Sequence, residues 1–314
     1  MGGHVLLTDR AWPDAEVERA TCEDAGLTLV DLHGAPRDAL LAEAKDAVGI
    51  LTNWVRVDRE VIDHSPGLVA ICRLGVGVDN IDVAAARARG IAVGRIPDYC
   101  VEEVSDHVLA LVLDHVRRVG AYHRDVRAGG WHPGRYPQRR LSSLVVGVWG
   151  AGLTGRRTAA KFAALGCEVL IDDRHGPAGT DGVTAVPVDA LLDRCDVLSL
   201  HLPLTPSTRG AVAAAQLARL RDGALVVNTS RGGVLDLDAL RPELTSGRLA
   251  AALDVLPAEP LVPDWLRELD NVVLTPHVAF ASRESVADLR RRASADLVSM
   301  IAGNPPTYPA PEVK

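Results

Sequence analysis

Along the last third of the chain an arginine, a carboxylate and a histidine follow one another. Arg231 lies in NTSRGG, Glu259 in DVLPAEP and His277 in TPHVAF. Upstream, Gly150, Gly152 and Gly155 form a G-x-G-x-x-G turn between an apolar run at 144–149 and an Ala-rich run at 156–165. Each part has a chemical use. A planar guanidinium grips a carboxylate and an adjacent carbonyl together, and an imidazole exchanges a proton near neutral pH, with a neighbouring carboxylate fixing its tautomer. A glycine turn opening a helix takes the pyrophosphate of a dinucleotide. Together these are the parts for hydride transfer between a dinucleotide and a 2-oxo acid.

The glycine positions fit that use individually. The first allows the tight turn, the second lets the backbone approach the phosphates, and the third lets helix and strand pack closely. Asp172 and Asp173 end the next apolar run, Asp173 roughly 20 residues after Gly155, where a carboxylate accepts from the ribose 2′-OH and repels a 2′-phosphate. That favours NAD over NADP, although Arg174 and His175 follow directly. Asp254 ends the run LAAALD and is expected either to reach the nicotinamide carboxamide or to serve as a turn aspartate. In RLGVGVDNID, residues 73–82, the N–H groups of Val76 and Gly77 could form a nest for the substrate carboxylate. The plainer reading is a strand-to-helix turn capped by Asp79 and Asn80.

These residues need a scaffold, and the hydrophobic pattern supplies one. Apolar runs at 5–8, 28–32, 48–52, 68–73 and 91–94 alternate with helical stretches, and a second series follows at 144–149, 168–172, 197–202, 224–228, 249–254 and 272–275. This βαβ alternation predicts α/β architecture with parallel sheets covered on both faces, the second series forming two mononucleotide-binding halves. Between the series, EEVSDHVLALVLDHVRR places Val104, Val108, Leu111, Val112 and His115 on one helical stripe, to be buried within the chain or against a second subunit. The helix at 283–301 lies beyond the last strand and is expected to return to the first domain. A chain of 314 residues suits two domains.

Composition narrows the partners. A net charge of −7 argues against nucleic acid, which wants a basic face, and the local basic run at 290–292 reads as a solvated helix face. The opening MGGHVLLTDR has too short an apolar run for a signal peptide or membrane span. Five scattered cysteines without metal-ligand or redox spacing suggest a reducing cytoplasm and no metal site.

Taken together, RLGVGVDNID, VEEVSDH, GAGLTG, the paired aspartates, HLPLTPSTRG, NTSRGGVLDLDAL, AALDVLPAEPL and TPHVAFAS resemble the D-isomer-specific 2-hydroxyacid dehydrogenases, over about residues 47–290. PDYC, EEVSDH and TPHVAFAS are most similar to the branch that also holds the C-terminal binding protein corepressors. The resemblance implies a Rossmann NAD-binding domain (99–281) inserted into a discontinuous flavodoxin-like substrate domain (1–98 and 282–314), and a homodimer formed through the former. It implies that Arg231 binds and polarises the substrate, that His277 is the acid/base with Glu259 its partner, and that Asp254 contacts the nicotinamide. Leu153, Thr154, Asp173, Pro203 and Thr229 join the glycines as cofactor contacts, and Val76, Gly77 and Trp54 border the substrate. Three departures bear on the substrate: Arg95 stands where many members have asparagine, Leu153-Thr154 replaces the commoner Arg-Ile, and Trp54 occupies a pocket-shaping loop. Val76 replaces the lysine of phosphite-oxidising members.

The expected activity is interconversion of a small D-2-hydroxy acid and its 2-oxo acid. The alternatives are an NAD(H)-sensing binding protein of the corepressor kind, and a dehydrogenase of a specialised phosphonate or antibiotic intermediate.

Overall fold

The structure, a computed structural model, describes residues 3–172 and 181–311. Asp173, Arg174 and His175 lie outside the described residues. The chain divides into two compact units, Met1–Cys100 with Ser282–Lys314, and Val101–Ala281.

The first unit contains β1 (His4–Leu7), α1 (Glu16–Asp24), β2 (Thr28–Asp31), α2 (Arg37–Ala44), β3 (Ala47–Thr52), α3 (Arg59–Asp63), β4 (Ala70–Arg73), α4 (Val83–Ala88) and β5 (Ala92–Gly94). The second unit opens with α5 (Val101–Arg117) and α6 (Val119–Arg127), followed by β6 (Val145–Trp149), α7 (Leu153–Ala164), β7 (Glu168–Asp172) and β8 (Val183–Ala185). It continues through α8 (Val188–Arg194), β9 (Val197–Leu200), α9 (Ala214–Arg219), β10 (Leu225–Asn228), α10 (Leu237–Thr245), β11 (Ala250–Leu253), α11 (Asp264–Arg267) and β12 (Val272–Leu274). Finally α12 (Arg283–Ile301) belongs to the first unit. The sheets run β2-β1-β3-β4-β5 and β12-β11-β10-β9-β6-β7-β8, and neighbouring strands are parallel throughout.

The continuous apolar runs follow from burial on both faces, which parallel sheets require. In β1, Val5 and Leu7 point to the side of α1 and α12, among Cys22, Leu289 and Leu297. Leu6 points the other way, to the side of α2 and α3, among Leu40, Val61 and Ile62. The second sheet repeats the arrangement: Val146 and Val148 meet α5 and α7, while Leu198 and Leu200 meet α8 to α10. The α5 stripe of Val108, Leu111, Val112 and Val116 therefore packs on its own unit. His115 on that stripe is only partly covered, and burial lowers its pKa to about 4.

One strand was not legible beforehand: β8 adds a seventh to the six expected. It has no apolar run because it lies on the sheet edge beside β7, where Thr184 and Ala185 stay exposed. All five cysteines are buried thiols, and burial pushes Cys22 up to about 11 and Cys195 up to about 12.

The basic run 290–292, read from sequence as a solvated face, is only partly so. Arg290 reaches inward, donating to both oxygens of fully buried Glu18 at 2.9 and 2.8 Å and to Asp14 at 2.8 Å, with its guanidinium over the Trp12 ring. This bond set joins α12 to α1. Removing one partner leaves a buried charge uncompensated, which costs far more than the pair contributes. Arg290→Leu is expected to destabilise the first unit by about 3–5 kcal/mol, with urea unfolding as the measurement. A loss below about 1 kcal/mol would show that Glu18 finds another partner.

Candidate active site

The connections that leave the carboxyl ends of β6 and β9 run to helices on opposite faces where the strand order of the second sheet reverses, and this is the crevice in which open α/β sheets bind ligands. The glycine turn lies there. Gly150 has φ +112°, and a Cβ on it would stand 2.5 Å from the His201 carbonyl oxygen. At Gly155 a Cβ would be 1.9 Å from the Gly150 oxygen, so only glycine lets the helix pack this close. Gly152 differs: nothing lies within 4 Å of the position a Cβ would take, leaving open space in front of the backbone. Gly152 also caps α7 with no side-chain hydrogen bond, so the helix N-terminus presents its N–H groups and partial positive charge outward. A close glycine cradle, open space and an uncapped helix end fit a pyrophosphate.

Around this turn, Leu153 is exposed and Thr154 partly covered. Pro203 is exposed, its carbonyl accepting from Thr208 Oγ1 at 2.5 Å. Thr229, after β10, is buried, and its hydroxyl has no partner among the described residues. His201 is buried beside Ser199 Oγ at 2.9 Å, and burial lowers its pKa to about 4, so the ring is neutral at physiological pH.

Arg231, Glu259 and His277 are brought in by three adjacent strands. Asn228 at the end of β10 pairs with Leu253 of β11, which pairs with Leu274 of β12. The segments that follow therefore emerge at one level. Asn228 shapes the first of them, its Oδ1 accepting from Ser230 N and Oγ and its Nδ2 donating to the Arg231 carbonyl. Gly232 then lets this segment lie on the next: a Cβ there would be 2.0 Å from the Leu256 carbonyl carbon. Glu259 is tied at both oxygens, Oε1 accepting from Leu256 N at 2.9 Å and Oε2 lying 2.7 Å from His277 Nδ1. Burial pushes the Glu259 pKa up, but the His277 hydrogen bond and charge, the Leu256 N–H and the Arg231 charge outweigh it and hold the carboxyl below its ordinary value.

His277 itself has φ +54°, in the left-handed region that side chains with a Cβ disfavour. Asp254 holds it there. The Asp254 carbonyl accepts from His277 N at 2.8 Å, while its carboxylate accepts from Val278 N, Ala279 N and the Thr275 hydroxyl at 2.9, 3.0 and 2.6 Å. Asp254, read from sequence as a nicotinamide contact or a turn aspartate, is thus engaged in the turn. A carboxylate has about four acceptor positions, so these bonds leave room for a further donor.

Two contributors escaped the sequence reading. One is Gly232, whose need for a missing Cβ shows only when the Leu256 backbone lies against it. The other is His107 on α5, whose Nε2 lies 3.0 Å from Thr275 Oγ1 and 3.7 Å from Asp254 Oδ1. Because Thr275 gives its only proton to Asp254, His107 must be the donor in that contact. A signal existed, since His107 falls three residues after Val104 and four before Leu111, on the same helical face.

Val76, Gly77 and Trp54 belong to the first unit. Trp54 is 42% exposed, and its N–H and that of Asn53 both donate to the Asp9 carboxylate. The loop carrying Val76 and Gly77 is tied at each end by Leu74 N to Thr52 O and Ile81 N to Val78 O, and Asn80 Nδ2 reaches the Val55 carbonyl.

Comparison with known proteins gives a consistent likeness. Residues 109–279 match the family model for the D-isomer specific 2-hydroxyacid dehydrogenase, NAD binding domain. The chain is 37% identical over 286 residues to a D-3-phosphoglycerate dehydrogenase of Archaeoglobus fulgidus, covering 89% of this chain and 54% of that protein. It therefore spans about half the length of that relative. A glyoxylate reductase of Korarchaeum cryptofilum is 36% identical over 282 residues, 86% of this chain and 84% of that one. The crystal structure of a glyoxylate reductase from Paecilomyes thermophila superposes with a TM-score of 0.90 at 29% identity, covering 100% and 99% of the two chains.

The lowered Glu259 pKa has a consequence for stability. The folded protein binds this proton less readily than the unfolded chain, whose ordinary value is near 4.5, so the group stabilises the fold above pH 4.5 and loses that contribution as pH falls through the folded value. Glu259→Gln should flatten the acid limb of the stability profile below pH 4.5, as read from urea midpoints along a pH series. An unchanged slope there would mean that Glu259 is not held as a carboxylate by its neighbours.

Proposed function

The chain belongs to the D-isomer specific 2-hydroxyacid dehydrogenase family, and we propose that it interconverts a D-2-hydroxy acid and its 2-oxo acid with NAD(H). The observation that carries this reading is the 2.7 Å contact between Glu259 and His277 Nδ1, beside Arg231 at the carboxyl edge of the nucleotide-binding sheet.

Gly150, Gly152, Gly155 and the start of α7 would hold the dinucleotide, with Leu153, Thr154, Pro203, Thr229 and Asp254 beside it; bound there, NADH supplies the hydride. The preference for NAD over NADP rests on Asp173, the residue that follows Asp172 in sequence. Arg231 grips the substrate carboxylate and carbonyl; in the first unit, Val76, Gly77 and Trp54 are the substrate contacts that the family resemblance implies. Glu259 accepts from Nδ1, so that nitrogen carries a proton and Nε2 faces the substrate. In reduction, Nε2 gives its proton to the carbonyl oxygen as that oxygen becomes a hydroxyl; in oxidation it takes the proton back. Glu259 offsets the imidazolium charge throughout, and water exclusion strengthens the Arg231 contact.

General acid–base catalysis is worth about 10²–10⁴ in rate. His277→Ala is therefore expected to lower kcat by at least about 10²-fold while leaving NADH affinity, measured by fluorescence titration, within a factor of about two. The assay is NADH oxidation against a panel of 2-oxo acids including glyoxylate and hydroxypyruvate. Retained turnover in the variant removes His277 from the mechanism. Tight NADH binding by the parent protein with no turnover on any acid would favour the sensing alternative.

A homodimer formed through the nucleotide-binding unit is part of the same reading. Val119 and Val126 of α6 and Trp131 after it are exposed apolar side chains there, which supports a face covered by a second copy. Sedimentation is expected to show a dimer at micromolar concentration; a monomer would remove this element of the proposal.

A further inference from the structure

Arg95 follows β5 in the first unit and is half-buried. Its Nη1 donates to the Val76 carbonyl at 3.2 Å and its Nε to the Pro309 carbonyl at 3.4 Å, while its own N–H donates to Tyr308 O. No carboxylate among the described residues pairs with it; the nearest acid in sequence, Asp98, is taken by Arg292 at 2.6 Å. Burial accordingly lowers the Arg95 pKa, with no anion to oppose it. This side chain thus keeps a full charge, partly desolvated, beside a loop backbone and without a counter-ion among the described residues.

The loop it touches has donors to spare. The N–H groups of Val76, Gly77 and Val78 reach no acceptor among the described residues, whereas Leu74, Gly75 and Ile81 on either side donate to Thr52, Arg73 and Val78. Three successive N–H groups without acceptors are unusual unless they face solvent or a ligand. The Val76–Gly77 peptide is trans and planar, so its carbonyl and its N–H point in opposite directions. With the carbonyl fixed on Arg95, the Gly77 N–H must point away from the guanidinium, to the far side of the loop. A cation on the carbonyl also polarises the peptide and makes that N–H a stronger donor.

We propose that Arg95 is a positioning residue for an anion site on the 76–78 loop: it locks the Val76–Gly77 peptide so that Gly77 N–H faces a substrate carboxylate, and strengthens that donor with its uncompensated charge. Asparagine, common in the family at this position, could hold the carbonyl but would bring no charge. The site should therefore favour compact 2-oxo acids whose carboxylate lies directly on the loop, and bind them more tightly as their negative charge increases. This inference rests on the reading above that Val76 and Gly77 receive the substrate carboxylate.

The test uses oxalate, an unreactive dianion of the right shape, titrated calorimetrically into the NADH-loaded protein, alongside steady-state kinetics with glyoxylate. Arg95→Leu and the milder Arg95→Gln remove the charge, and Arg95→Lys retains it. Oxalate Kd and glyoxylate KM are each expected to rise about tenfold or more in the Leu and Gln variants, as for loss of a charge-assisted contact. The kcat should fall much less than KM rises, and Lys should restore most of the affinity; a purely structural role would predict neither the split nor the rescue. A folded Gln variant that binds oxalate as tightly as the parent overturns the inference, as does a parent protein that binds no oxalate. Oxalate binding that depends on Arg95 in a parent that reduces no 2-oxo acid would instead overturn the proposed activity and leave the anion site standing.

Discussion

His277 has a backbone conformation that costs a residue with a Cβ about 1–3 kcal/mol, and such a conformation persists only where the surroundings leave no other choice. Asp254 imposes it. Its carbonyl fixes the histidine N–H, and its carboxylate, 2% exposed, collects the two N–H groups that follow and the threonine hydroxyl that precedes. A buried carboxylate is tolerable only when its lone pairs are occupied in this way. The turn and the carboxylate thus require each other, and the direction of the imidazole follows from backbone bonds before any side-chain partner is considered. Glu259 then meets a ring already aimed.

The same economy holds at the neighbouring strand. Asn228 folds the segment leading to Arg231 back on itself, and Gly232 brings that segment onto the Leu256–Pro257 backbone from which Glu259 departs. Strand register sets the level, and backbone contact sets the lateral spacing. The three side chains that carry the proposed chemistry are thus held mainly by main-chain atoms of adjacent turns, which are less free to move than long side chains.

How much of this could be read in advance depends on what each feature is made of. The glycine turn was legible because its spacing encodes a backbone demand, and Gly150 and Gly155 meet that demand with clearances that exclude a Cβ. The order Arg231, Glu259, His277 was legible because each follows an apolar strand run. The short strand β8 was not, since an edge position asks for no hydrophobic face. Asp254 was half legible: its place at a strand end was plain, but the turn it organises depends on Thr275, Val278 and Ala279, more than 20 residues away. His107 is separated from Thr275 by 168 positions, and no local pattern links them. Arg290 was misread because a run of arginines gives no sign that one of them meets a carboxylate 272 residues earlier.

The buried cysteines give the molecule an internal gauge. Alkylating reagents attack the thiolate, and sulfurs that are both covered and reluctant to ionise react only when the surrounding structure opens. Cys22 and Cys72 report on one unit, Cys167 and Cys195 on the other. The rate at which each sulfur is labelled therefore measures how often its own half of the protein breathes, with no probe introduced from outside.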